Sequence, residues 1–159
     1  MSVFKALSEE HGLLLILVGR LERAADAKDA RNLLLVLLRA LEAHENLEHL
    51  VFDEKTRPSV PVAHVERQHK ALAALRAEAL ALLQGLAREN DAAVRGLVRR
   101  LARLLRGHFH DEERTLWPSF NAAAGSSRLH RLGRLARAQV RAMKKELDDY
   151  RIAVEDYLA

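Results

Sequence analysis

Six ionisable side chains fall on the apolar stripes of a chain whose pattern is otherwise helical throughout, and no other feature restricts its fold as strongly. His11, His44, Glu48, His69, His108 and Glu112 all occupy positions where the 3.6-residue period calls for an aliphatic residue. On the first predicted helix, about Ser2 to Ala27, His11 shares a face with Phe4, Leu7, Leu14, Val18 and Leu21. On the second, from an Asp29 N-cap to about Glu54, His44 and Glu48 continue the stripe Leu34, Leu37, Leu41 and Val51. On the third, about Pro61 to Arg88, His69 lies with Val65, Leu72, Leu75, Ala79, Leu82 and Leu86. On the fourth, from a cap at Asn90 or Asp91 to about Leu116, His108 and Glu112 follow Val94, Leu97, Leu101 and Leu104 or Leu105.

Burying an unpaired imidazole or carboxylate is costly, so such residues need partners. Residues i and i+4 project from one helix face, so His44 with Glu48, and His108 with Glu112, each grip a common point. The two halves of the chain repeat the pattern: a lone inward His, then His-x-x-x-Glu. One His on an apolar stripe is ordinarily a hydrogen-bonded core residue. Six such groups, in register and duplicated, point instead to bound metal, which offsets the burial of two carboxylates and orients neutral imidazoles. Each of two metals takes two imidazoles, and the two Glu bridge them. Mixed N/O ligation without sulfur suits iron or manganese better than a closed structural zinc site, with zinc still open.

The remaining elements follow from punctuation and composition. Lys55-Thr56-Arg57-Pro58-Ser59-Val60-Pro61 breaks the chain between the second and third helices, and Trp117-Pro118 is expected to end the fourth. A fifth helix, about Ser127 to Tyr157, carries Leu129, Leu132, Ala136, Val140, Met143, Leu147, Tyr150 and Val154 on one face. Ala, Leu, Arg and Glu dominate a chain of 159 residues with 4% aromatics, so the expected class is all-α. Short connections predict an up-down-up-down four-helix bundle over 2–118 with an additional C-terminal helix over about 127–157, in one domain spanning 1–159.

Cysteine is absent, which excludes disulfides, zinc fingers and thiol catalysis. Neither a Gly-rich phosphate loop nor a nucleophile elbow occurs, so any catalysis is metal-centred. The apolar run Leu13 to Val18 is too short to span a membrane, no signal-peptide pattern is read, and a cytoplasmic location is expected. The net charge of +4 invites a nucleic-acid reading, but acids accompany most of the arginines and nucleic acid is not the expected partner. Arg128, Arg131, Arg134, Arg137, Arg141 and Lys144 recur along one face of the fifth helix. A solvated face is the plainer reading, and an acidic protein partner the sharper one. His49, His64, His110 and His130 are expected on the surface or behind the ligands, as are Glu45 and Glu113, of which Glu45 is the more credible extra ligand.

The segments EEHGLL around His11, AHENLEHLVF around His44 and Glu48, VERQHKAL around His69 and HFHDEERTLWP around His108 and Glu112 resemble the hemerythrin-like, or HHE cation-binding, family. The resemblance runs from about Leu7 to Pro118. It implies a four-helix bundle with a non-haem di-iron centre, bridged by carboxylate and by oxo or hydroxo groups. The chain departs from the oxygen-carrying hemerythrins at Ala73, where they have a second third-helix His, and at Glu112, four rather than five residues after His108 and Glu rather than Asp. The paired His-x-x-x-Glu motifs are instead similar to bacterial hemerythrin-like and iron-sulfur-repair proteins. Fewer histidines imply open coordination positions and chemistry with oxygen, peroxide or nitric oxide, as in oxidative or nitrosative stress. The alternative expectation is an iron- or oxygen-sensing module that acts through a partner.

Overall fold

The computed structural model describes residues 2–24, 26–52, 63–84, 91–123 and 125–149, and within them the chain is all-helical, with no strand. Helix α1 spans Val3–Glu22 and α2 spans Ala27–Val51. They are followed by α3 (Ala63–Gln84) and α4 (Asp91–Asp111). A π-turn, Glu112–Leu116, joins α4 to the short α5 (Trp117–Ala123), and α6 covers Ser126–Asp149.

Local chemistry sets the helix starts. Ser2 caps α1 by accepting a hydrogen bond from the Lys5 N–H at 3.2 Å. The sequence places the cap of α2 at Asp29, but the cap is Asp26, whose carboxylate accepts from the Asp29 N–H at 2.8 Å. Both residues are good caps. With Asp26 outermost, Asp29 enters the first turn, where its charge favours the helix dipole. The first helix also ends earlier than expected, at Glu22 rather than Ala27, and the second at Val51. Pro61, Leu86, Asn90, Tyr150 and Val154 lie outside the described residues.

The expected stop at Trp117-Pro118 does not occur. The Trp117 N–H bonds to the Glu112 carbonyl, five residues back, and helical structure resumes as α5. Pro118 then occupies the first turn of α5, where a missing N–H costs little. The extra residue in the turn lets Glu112, Leu116, Trp117 and Phe120 all face inward.

Helix α1 packs against α2, α4 and α6, α2 also meets α6 and α3, and α3 runs mainly along α4. This explains a burial pattern wider than the sequence stripe. On α1, Val3, Ala6, Leu13 and Leu17 are buried together with the expected Leu7, Leu14, Val18 and Leu21. Contact with α6 hides a second face. Leu132, Ala136, Val140, Met143 and Leu147 of α6 form the covering stripe, as the period predicts. Helix α3 is the least embedded, with only Val65, Leu72 and Ala79 buried. All the expected inward residues of α2, including His44 and Glu48, are buried.

Leu17 lies off the stripe read from the sequence yet is fully buried. Leu17→Ala is expected to cost about 2–5 kcal/mol, the range for a buried Leu. Chemical denaturation measures it. A loss within about 0.5 kcal/mol, as at a surface position, would contradict the burial of this face of α1.

Candidate metal centre

Four helices each bring at least one of the six sequence-selected residues to a single point in the core. Two groups of donor atoms result, each gathered within 4.8 Å: His11, His44, Glu48 and Glu112, and Glu48, His69, His108 and Glu112. The two glutamates belong to both. Their oxygens divide between the groups. Glu48 Oε1 lies 3.3 Å from His44 Nε2, and Oε2 lies 3.3 Å from His69 Nε2. Glu112 Oε2 lies 3.4 Å from His11 Nε2. Its Oε1 lies 3.2 Å from His108 Nε2 and 3.6 Å from His69 Nε2. The imidazoles pair edge to face, His11 with His44 at 4.8 Å between centroids and His69 with His108 at 4.7 Å.

Hydrogen bonds behind the rings fix which nitrogen faces inward. His11 Nδ1–H donates to Glu113 Oε1 at 2.9 Å, and His44 Nδ1–H donates to Glu10 Oε2 at 2.8 Å. His108 Nδ1–H donates to the Gln68 amide oxygen at 3.1 Å. Gln68 is held in turn by Asp111, whose Oδ2 accepts from Gln68 Nε2 at 2.7 Å and from His64 Nε2 at 2.8 Å. In all three imidazoles Nε2 is left to present a lone pair to the centre. His11 Nε2 and His44 Nε2 face each other at 3.1 Å, so a cation, either a proton or a metal, has to lie between those lone pairs.

The donor set fits a metal on a second count. Both oxygens of Glu48, both of Glu112, His69 Nε2 and His108 Nε2 are buried without hydrogen-bond partners. Six orphaned polar atoms in one core would cost several kcal/mol if nothing bound them.

With protons as the only cations in the balance, the electrostatics divide sharply. Burial pulls His11 down to about 4, against the pull of its Glu113 hydrogen bond. Burial likewise takes His108 down to about 3. Burial also opposes a proton on His44, but the Glu48 charge, helped by the Glu10 hydrogen bond, outweighs it and pushes His44 up to about 10. Burial raises Glu48 too, yet the His44 charge wins and holds it well below the usual carboxylate range. Glu112 goes well above that range, through burial and then the Glu48 charge beside it. Two facing carboxylates thus retain a proton on one of them and draw another onto His44.

Aromatic rings close one side of the centre. Phe109 stacks on His11 at 3.9 Å and 10°, and Trp117 stacks on it at 4.9 Å and 27°. Phe4 contacts Trp117 and Phe120, and Phe52 contacts Phe120. The centre is more open at His69. His69 is 25% exposed, whereas the other five residues are buried. A cleft of about 30 Å³, lined by Glu48, His49, Phe52, Val65, Glu66, His69 and Leu116, reaches it. A larger cavity of about 280 Å³ lies among Leu21, Ala30, Val94 and Val98 and touches none of the six.

Glu45, the extra ligand the sequence favours, is instead paired with Arg76 at 2.5 Å and is absent from both donor groups. Glu113 supports His11 from behind. His49, His64, His110 and His130 are exposed, as expected. The sequence reading misses Glu10, Gln68 and Asp111. The one available signal for Glu10 is its position next to His11 in a helix with two buried faces.

At pH 7 the proton on His44 must leave when a metal binds, while His11 and His108 are already neutral. Loading metal-stripped protein with Zn(II) or Co(II) in weak buffer is therefore expected to release at least one proton per chain. Metal affinity should also fall as pH is lowered. A pH-stat titration reads both, and uptake with no proton release at pH 7 would contradict this electrostatic picture.

Among known families, the model of the hemerythrin HHE cation-binding domain matches residues 60–159, a stretch that contains His69, His108 and Glu112. Comparison with curated proteins and with solved structures finds no match. Geometry ties the first half of the chain to the same centre through His11, His44 and Glu48. With more than half its length matched and two buried His/Glu groups able to hold metal, the chain belongs to the hemerythrin HHE cation-binding domain family.

Proposed function

We propose that residues 1–159 form one domain, an up-down-up-down bundle of α1 to α4 with α6 against its outside. In this reading the bundle holds two iron ions and binds or reacts with a small oxidant such as oxygen, peroxide or nitric oxide. The observation that carries it is the overlap of the two donor groups at Glu48 and Glu112. One position takes His11 and His44, the other His69 and His108, and both share the carboxylates.

Four imidazoles and two carboxylates, without sulfur, suit iron, with manganese or zinc as competitors. Four protein donors at each position leave room for a small exogenous ligand, and Ala73, exposed on α3, adds none. Bound there, a pair of irons supplies one-electron chemistry beside an open position. The protein's own groups do the rest. Glu113, Glu10 and Gln68 hold the imidazoles in one tautomer and orientation. Phe109 and Trp117 keep water from the His11 side. The cleft beside His69 is small, about 30 Å³, which suits a diatomic or peroxide ligand.

Iron analysis of protein purified without chelators is expected to give about two irons per chain. Stopped-flow mixing of the reduced protein with each oxidant should then change the iron absorption bands with at least one of them. Iron-loaded protein inert to all three would contradict the oxidant reading.

A second reading, an iron- or oxygen-sensing module acting through a partner, draws on one contact. Lys144 Nζ of α6 donates to Glu9 Oε1 at 2.6 Å, two residues from His11. The exposed Arg131, Arg134 and Arg141 on α6 suit an acidic protein partner. In this reading iron changes the protection of α6 in limited proteolysis, and identical cleavage with and without iron would rule it out. No described helix is long and apolar enough to cross a membrane.

A further inference from the structure

The two halves of the centre have different surroundings. His11 and His44 are both backed by carboxylates, Glu113 at 2.9 Å and Glu10 at 2.8 Å. His108 is backed by a neutral amide, Gln68 at 3.1 Å, whose orientation Asp111 fixes. A carboxylate that accepts the Nδ1 proton makes the imidazole a stronger donor at Nε2 than an amide does, and such partners alter metal affinity by about 10–100-fold. Burial sets His69 apart, since His108 is as buried as His11 and His44. His11 and His44 are sealed, with Phe109 and Trp117 stacked on His11. His69 is 25% exposed on the cleft that Phe52, Val65 and Glu66 help to line.

We propose that the two metal positions are unequal: the His11–His44 position fills first and holds its ion tightly, and the His69–His108 position is the weaker, exchangeable one that opens to solvent. Glu10 and Glu113 are the positioning residues that set the difference. Both accept hydrogen bonds from behind the rings and belong to neither donor group. This inference rests on the two-ion reading above.

The test is a titration of the full chain, stripped of metal, with Co(II) in competition with a chromophoric chelator. The expected result is two steps, the first tighter by about tenfold or more. Glu113→Gln keeps the side chain's shape and removes its charge, and Glu113 is 38% exposed, so the fold tolerates it. It should weaken the first step about tenfold and leave the second within about threefold. Glu10→Gln should give the same pattern independently. His69→Ala should remove the weak step and keep the tight one, and His11→Ala should do the reverse. Two ions bound with equal affinity, or loss of the tight step in His69→Ala, overturns the assignment while leaving the two-ion reading intact. Uptake of one ion or none by the unaltered chain overturns both.

Discussion

Two carboxylates, Glu48 and Glu112, face each other in a core that is otherwise aliphatic and aromatic, and the local structure is arranged around that fact. Neither carboxylate has a hydrogen-bond partner for its oxygens, and both are buried. Like charges in a dry interior repel strongly, so the pair needs cations. Four imidazoles from four helices bring their ring nitrogens to within 3.2–3.6 Å of these oxygens. The Glu48 charge pushes His44 up against its burial, and it adds to the burial that raises Glu112.

The surrounding architecture holds the repulsive arrangement together. Helix α1 is covered by α6 as well as by α2 and α4, which buries Glu10 behind His44 and keeps His11 from solvent. The π-turn after α4 lets Glu112 enter the centre while Leu116 and Trp117, the next inward residues, still reach the aromatic layer. All four phenylalanines and the single tryptophan of the chain join this layer, either stacked on His11 or linked through Trp117 and Phe120. Stacked aromatic rings thus shield His11, while a small cleft leaves His69 partly open to solvent.

Much of this can be read from the sequence, because periodicity alone places a helical residue on a face. His44 and Glu48 continue an unbroken stripe on α2, and His108 and Glu112 do so on α4, so all four are legible. Glu10 is not, since it lies off the α1 stripe and meets His44 only when α1 and α2 pack together. Gln68 is adjacent to His69 on α3, and only the approach of α4 gives it His108 as a donor. Asp29 and Asp26 are equally good caps by local rules, and the start of α2 decides between them. Trp117-Pro118 looks like a stop because proline breaks a regular α-helix, but a preceding π-turn changes which carbonyls need a donor. Glu45 looks like a ligand by its position beside His44, yet Arg76 takes it.

In the proposed reading these six side chains jointly hold two cations and share Glu48 and Glu112 between them. Iron-edge anomalous diffraction from crystals of the iron-loaded protein tests it most directly. Two peaks per chain are expected, one beside His11 and His44 and one beside His69 and His108, with Glu48 and Glu112 reaching both. A single peak, or iron held at residues outside this set, would contradict it.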